Sequence, residues 1–206
     1  QRMEGMPPGV LLNAQVESGL VRAVAQTSAK SAVQTLTGAA VVESESYSYT
    51  PTVMQTTSAA FRADEELQME HFGAVTLFVL CESLDDLAVT IPTLHGNLTS
   101  TIQAEGSELL AADRIYNLLR EISGRLIWNG FPTGVEVVYA QQHGGPYPAT
   151  TAPGTTSVGM TAIKRFMRPV AYQNMPDVLL PDALKDANPL GIWRIVDNET
   201  TKASIG

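Results

Sequence analysis

The chain has 206 residues, 44% hydrophobic and 17% charged, enough to bury a core as one domain or as one domain plus an arm. A formal charge of −8 and a pI near 4.8 exclude a nucleic-acid surface, which needs clustered Lys and Arg to displace counterions from phosphates. One cysteine, Cys81, excludes an internal disulfide framework, and no apolar run approaches the roughly 20 residues of a membrane span, so a cytoplasmic protein with no membrane partner is expected.

From Asn13 to about Lys30 the residues Val16, Leu20, Val21 and Val24 fall on one face of an amphipathic helix, with Asn13 as N-cap after the breaker Pro7-Pro8-Gly9. Between Thr35 and Arg62, Val41-Val42 and the run Tyr47 to Met54 read as strands interrupted at Pro51. The acidic cluster Asp64-Glu65-Glu66 reads as a solvated helix start rather than a metal site.

Glu70-His71-Phe72-Gly73-Ala74-Val75 is a polar, glycine-containing turn running into the strand Thr76 to Leu80. Ser83 and Asp86 then form a capping pattern for a helix with apolar positions Leu84, Leu87, Ala88 and Ile91. Leu98 to Gln103 reads as a strand. Ser107 to Ser123 carries the strongest helical periodicity, through Leu109, Ala112, Tyr116, Leu119 and Ile122, and Gly124 reads as its stop before the strand Arg125 to Trp128. Short apolar strands alternating with helices predict an α/β fold with a parallel βαβ sheet, in which ligands sit beyond the carboxyl ends of the strands. That rule marks Asn129 to Thr133 as a site loop.

Val135 to Tyr139 reads as a short strand, and Gln141 to Thr151 as a long ordered loop with an imidazole and an aromatic ring, His143 and Tyr147, available for contact, a linker being the alternative. Ser157 to Arg168 reads as a helix stopped by Pro169, followed by an irregular segment with a short helix near Pro181 to Leu184. Ile192 to Val196 is a final strand, expected to pair outside the domain. The boundary is placed between 168 and 169.

Few constellations carry chemistry by residue type. Cys81 could pair with His71, His95 or His143 as a nucleophile, yet it ends a buried-looking strand. The three histidines lack zinc-motif spacing, so no metal is expected. Gly144-Gly145 and Gly154 are too sparse for a phosphate loop, and neither G-x-G-x-x-G nor G-x-S-x-G occurs.

Glu70 to Val75, preceded by Thr50-Pro51-Thr52-Val53 and Asp64, resembles the E-x-F-G-P-V signature of the aldehyde dehydrogenase superfamily. Trp128 to Val135, His143-Gly144-Gly145-Pro146-Tyr147-Pro148, Arg165 to Asn174 and Leu179-Leu180-Pro181 resemble the branch containing 2,5-dioxovalerate (α-ketoglutarate semialdehyde) and NADP-dependent fatty aldehyde dehydrogenases. The resemblance spans about residues 8 to 198 and implies an incomplete, C-terminal part of the catalytic domain (1–168), with an extension carrying an oligomerisation strand (169–206). No initiator methionine precedes Gln1, in keeping with that expectation.

The resemblance further implies NADP or NAD as cofactor, a small semialdehyde as substrate and a homodimer or tetramer. It puts the nucleophilic cysteine, the water-activating glutamate and the main dinucleotide domain outside this chain, so no catalytic residue is expected within it and the chain alone is expected to be inactive. Glu70 matches the glutamate that accepts hydrogen bonds from the nicotinamide ribose, and Phe72 the phenylalanine beside the nicotinamide. Phe131, His143 and Tyr147 lie where the resemblance puts the wall of the substrate tunnel, with plain loop packing as the alternative. Ala74 departs from the signature's proline and leaves the turn's backbone freer. The competing expectation is a non-catalytic structural or oligomerisation module on the same fold.

Overall fold

A computed structural model describes residues 3, 5–43 and 46–205, and the chain divides into two units, 1–165 and 166–206. In the first unit a short strand β1 (Gly9–Val10) leads to helix α1 (Ala14–Ser28), where the Asn13 side chain accepts from Val16 N–H at 3.0 Å and fills one of the helix's orphan donors. Leu20 and Val24 are buried against Tyr49 and Val75, each contributing about 1.5–3 kcal/mol by leaving water. Strands β2 (Gln34–Thr37), β3 (Ser48–Tyr49) and β4 (Thr52–Thr57) follow, and β3 pairs with β1. Pro51 separates β3 from β4 as its missing N–H demands, and Val41 makes only an isolated bridge to Tyr49.

Thr57 caps helix α2 (Ser58–Ala63), which carries the chain over to β5 (Val75–Leu80). β5 lies parallel to β4, and β4 antiparallel to β2, in a three-stranded sheet of order β2-β4-β5. Ser83 accepts from Asp86 N–H and starts α3 (Leu84–Thr90) as the capping pattern predicts. Then come β6 (Asn97–Ile102), α4 (Leu109–Ile122) and β7 (Ser123–Trp128), with β6 and β7 parallel.

This is a mixed α/β fold with parallel βαβ pairs, as expected, yet β5 and β6 are not neighbours: the strands form two separate parallel pairs. α3 and α4 pack together through Ala88, Ile91, Ile115 and Leu119, with Ile102 and Leu126 of β6 and β7 beneath them. The inward stripe of α4 is Ala112, Ile115 and Leu119, while Leu109 and Tyr116 face solvent, so its register is turned from the predicted one.

Four further expectations differ. Gly124 does not stop a helix but lies inside β7, because another backbone presses on it there. Val135 to Tyr139 forms no strand; its polar backbone groups turn to Gln141 and Met160 instead of to a partner strand. Ser157 to Arg168 holds only a 3-10 turn, Ala162–Phe166, since Gly159 sits at φ +107° and Lys164 N–H bonds three residues back rather than four. The short helix expected near Pro181 lies earlier, as a 3-10 turn at Asp177–Leu179.

In the second unit, β8 (Arg194–Val196) pairs antiparallel with a strand the sequence did not suggest, β9 (Glu199–Thr201), across a two-residue turn. Asp197 and Asn198 occupy the left-handed region at φ 48° and 69°, which their short polar side chains tolerate. The final strand therefore has a local partner. The Arg194 guanidinium donates to the carbonyls of Lys185, Asp186 and Ala203, locking the hairpin to the preceding turn.

Candidate functional site

The Glu70–Ala74 turn enters the sheet at the amino end of β5, not at the carboxyl edge where parallel sheets commonly bind ligands. The carboxyl edge is occupied by ion pairing. There Asp86 accepts from Ser58 Oγ at 2.5 Å, Arg62 Nη1 at 2.7 Å and Glu82 N–H at 3.0 Å, and Arg62 also donates to Thr90 Oγ1. The Ser58 hydroxyl, then the Arg62 guanidinium, hold the Asp86 carboxyl down to about 2.

Cys81 sits beside this cluster. Burial pushes its thiol up, and the Asp86 carboxylate pushes the same way against the weaker pull of Thr90 and Arg62. A thiol held protonated is a poor nucleophile. Replacement Cys81→Ser in the protein expressed from its complete reading frame is expected to leave its activity within about twofold.

The turn itself borders a shallow cleft of about 310 Å³ lined by Gln15, Val16, Gly19, Leu20 and Ala23 of α1 with Glu70 and Phe72. Glu70 is exposed, and its carboxylate bonds to no described residue; Phe72 is 69% exposed. A carboxylate acceptor and an apolar ring thus face the same cleft. The volume lies at the lower end for small-molecule sites.

The α1 wall escaped the sequence reading. Its signal was Gly19, a glycine inside a helix that costs stability yet meets nothing within 4 Å of a would-be side chain; its bareness keeps the cleft open.

The acidic cluster downstream of α2 has local hydrogen-bond partners. Lys30 Nζ bridges Asp64 and Glu66 at 2.7 Å each, and His95 Nε2 meets Glu65 at 2.9 Å. Those bonds raise the Lys30 ammonium and lower the Asp64 carboxyl. Among the described residues no group of His, Cys, Asp and Glu could hold a metal ion.

Phe131, His143 and Tyr147 do not share a pocket with the cleft. Phe131 is 81% exposed in the loop after β7, which the Arg125 guanidinium folds back by donating to Pro132 and Gly134 carbonyls. The 143–147 backbone lies across the amino ends of β6 and β7. Cβ atoms on Gly96 and Gly124 would fall within 3.0 Å of the carbonyl oxygens of Pro146 and Gly144. His143 N–H donates to Thr156 Oγ1 and its carbonyl accepts from Ser157, while its Nδ1 is buried with no partner among the described residues. Tyr147 is 77% exposed.

No family model matches the chain. It is 48% identical over 140 residues to the alpha-ketoglutaric semialdehyde dehydrogenase 2 of Azospirillum brasilense, covering 68% of this chain and 27% of that protein. It is 47% identical over 145 residues to the alpha-ketoglutaric semialdehyde dehydrogenase of Acinetobacter baylyi, covering 70% of this chain and 28% of that protein. The chain thus spans just over a quarter of the length of these relatives.

Its fold is similar to that of a lactaldehyde dehydrogenase from Escherichia coli, with a TM-score of 0.64 and 20% identity over 81% of this chain and 32% of that one. It is also similar to a Delta-pyrroline-5-carboxylate dehydrogenase from Mycobacterium tuberculosis bound with NAD, with a TM-score of 0.59 and 21% identity over 84% of this chain and 32% of that one. Among the described residues no helix is long and apolar enough to cross a membrane.

Proposed function

Because the chain belongs to the aldehyde dehydrogenase superfamily, as a part of its members' length, we propose that it is the C-terminal portion of an NAD(P)-dependent dehydrogenase that oxidises 2,5-dioxovalerate or a related semialdehyde to the carboxylate. The nucleophilic cysteine belongs to the portion outside this chain, as does the main dinucleotide-binding domain, and the chain by itself is inactive. The bound dinucleotide supplies the hydride acceptor. Glu70 accepts hydrogen bonds from the nicotinamide ribose hydroxyls and Phe72 packs against the nicotinamide, which holds the acceptor carbon at a fixed place relative to the aldehyde. Phe131, His143 and Tyr147 contribute to the substrate wall. The β8–β9 hairpin reaches a neighbouring subunit in a homodimer or tetramer.

The observation that carries this reading is the Glu70 carboxylate, which bonds to no described residue, on the same cleft lip as exposed Phe72. Its test is Glu70→Gln in the enzyme expressed from its complete reading frame. Loss of at least about tenfold in kcat/KM for the dinucleotide is expected, with the melting temperature unchanged. Wild-type kinetics and normal dinucleotide affinity would remove Glu70 from the site. A reading frame without a cysteine nucleophile would instead favour the non-catalytic module.

A further inference from the structure

Glu70 and Phe72 need a rigid base, and the signature's proline is replaced here by Ala74. The Ala74 carbonyl accepts from the Thr52 N–H at 2.8 Å, which fixes the far end of the turn to β4; at the near end the restraint is a side chain. The His71 ring bridges two elements: Nδ1 lies 3.0 Å from the Met69 carbonyl oxygen and Nε2 lies 3.0 Å from Thr27 Oγ1 on α1. A carbonyl only accepts, so Nδ1 carries a proton and donates to it; in the neutral ring Nε2 then accepts from the Thr27 hydroxyl. Thr27 is 5% exposed, so little water can replace that partner.

The two bonds bracket Glu70, one reaching the residue before it and the other reaching the helix that forms the opposite wall of the cleft. The backbone beyond is wound into two three-residue turns, Gly73 N–H to His71 carbonyl at 2.8 Å and Val75 N–H to Gly73 carbonyl at 2.9 Å. Gly73 is pressed against Leu20, where a Cβ would come within 3.0 Å of the leucine side chain. Such turns hold few residues in place by themselves. Only the imidazole ties the turn to α1 by a side-chain hydrogen bond among the described residues.

We infer that His71 is a positioning residue, which fixes Glu70 and Phe72 against the α1 wall through Thr27. The inference rests on the reading that those two side chains meet the nicotinamide half of the dinucleotide. Breaking the bond leaves Glu70 chemically intact but lets the turn swing, so the loss falls on dinucleotide binding and on hydride transfer rather than on the aldehyde.

The experiment compares Thr27→Val, which keeps shape and removes the hydroxyl, with Thr27→Ser, His71→Leu, the Thr27→Val/His71→Leu double variant and Glu70→Gln, all in the enzyme expressed from its complete reading frame. Two readouts are taken: NAD(P)⁺ dissociation constants with KM and kcat, and amide hydrogen exchange over residues 70–75 without cofactor. Thr27→Val and His71→Leu should each weaken dinucleotide binding by roughly tenfold and speed exchange in the turn, with KM for the aldehyde unchanged. Thr27→Ser should restore both, and the double variant should be no worse than the worse single one.

Wild-type dinucleotide affinity in Thr27→Val, or additive losses in the double variant, would overturn the inference. Should Thr27→Val fail to fold, His71→Leu at the half-buried surface decides by the same readouts. If Glu70→Gln impairs the enzyme while the Thr27 and His71 variants do not, the positioning role alone fails. If Glu70→Gln has no effect, the site reading falls and this inference with it.

Discussion

Gly124→Ala is expected to unseat the 143–148 loop and to lower stability by about 1–3 kcal/mol, the usual cost of forcing an atom into a filled space. Gly124 is the second residue of β7, and a methyl group there would be driven into the Gly144 carbonyl rather than into the end of a flexible side chain. The loop cannot simply slide. A Cβ on Gly145 would in turn meet the Asn97 carbonyl, and one on Gly96 the carbonyls of Pro146 and Tyr147, so four glycines make a contact of backbone on backbone.

The change should appear in urea unfolding and as faster hydrogen exchange at the His143 and Ser157 amides, whose partners are Thr156 Oγ1 and the His143 carbonyl. Gly106→Ala, around which nothing lies within 4 Å, should leave that exchange unchanged. Slow exchange retained at both amides in Gly124→Ala would show that the loop does not need the bare strand.

Asp86→Asn is expected to lower the melting temperature near neutral pH by roughly 5 °C and to flatten the acid dependence of stability. The Asp86 carboxyl is held at about 2 against an ordinary 3.8, with the folded state favouring the charged form. Its stabilisation is therefore fully present above pH 4 and is lost as pH falls from about 4 towards 2.

Asparagine keeps one acceptor oxygen. It loses the charge facing Arg62 and cannot serve Ser58 Oγ, Arg62 Nη1 and Glu82 N–H together. Melting temperatures of both proteins between pH 2 and 7 should converge at the acid end. Parallel curves across that range would show that Asp86 does not carry the acid response.

Much of the candidate site was legible because it is written in consecutive residues. Glu70, His71, Phe72 and Gly73 form one short motif, and caps such as Asn13 and Ser83 act within three residues of their own position. The other half of the cleft was not legible, because Gln15, Val16 and Gly19 lie more than 50 residues upstream and no local rule links a helix wall to a distant turn. Gly124 misled for a related reason: a glycine before a strand reads equally as a helix stop or as a seat for another backbone. β9 went unseen because Glu199-Thr200-Thr201 has too little apolar pattern to announce a strand, and the Asp197-Asn198 turn decides it.

Hydrophobic period, caps and breakers determined the existence and type of the main elements of 1–165, together with the Glu70–Phe72 turn and its family likeness. Those features depend on neighbours in the chain. Tertiary packing alone decided that β5 and β6 are not paired, that Asp86 fills the carboxyl edge of the β4–β5 pair, and that His71 reaches Thr27 across 44 residues. The turn that stood out as a signature is thus one wall of a cleft at the amino end of β5. An imidazole bond to a buried hydroxyl ties it to α1, while the Thr52 N–H on the Ala74 carbonyl and the packing of Gly73 on Leu20 hold its far end.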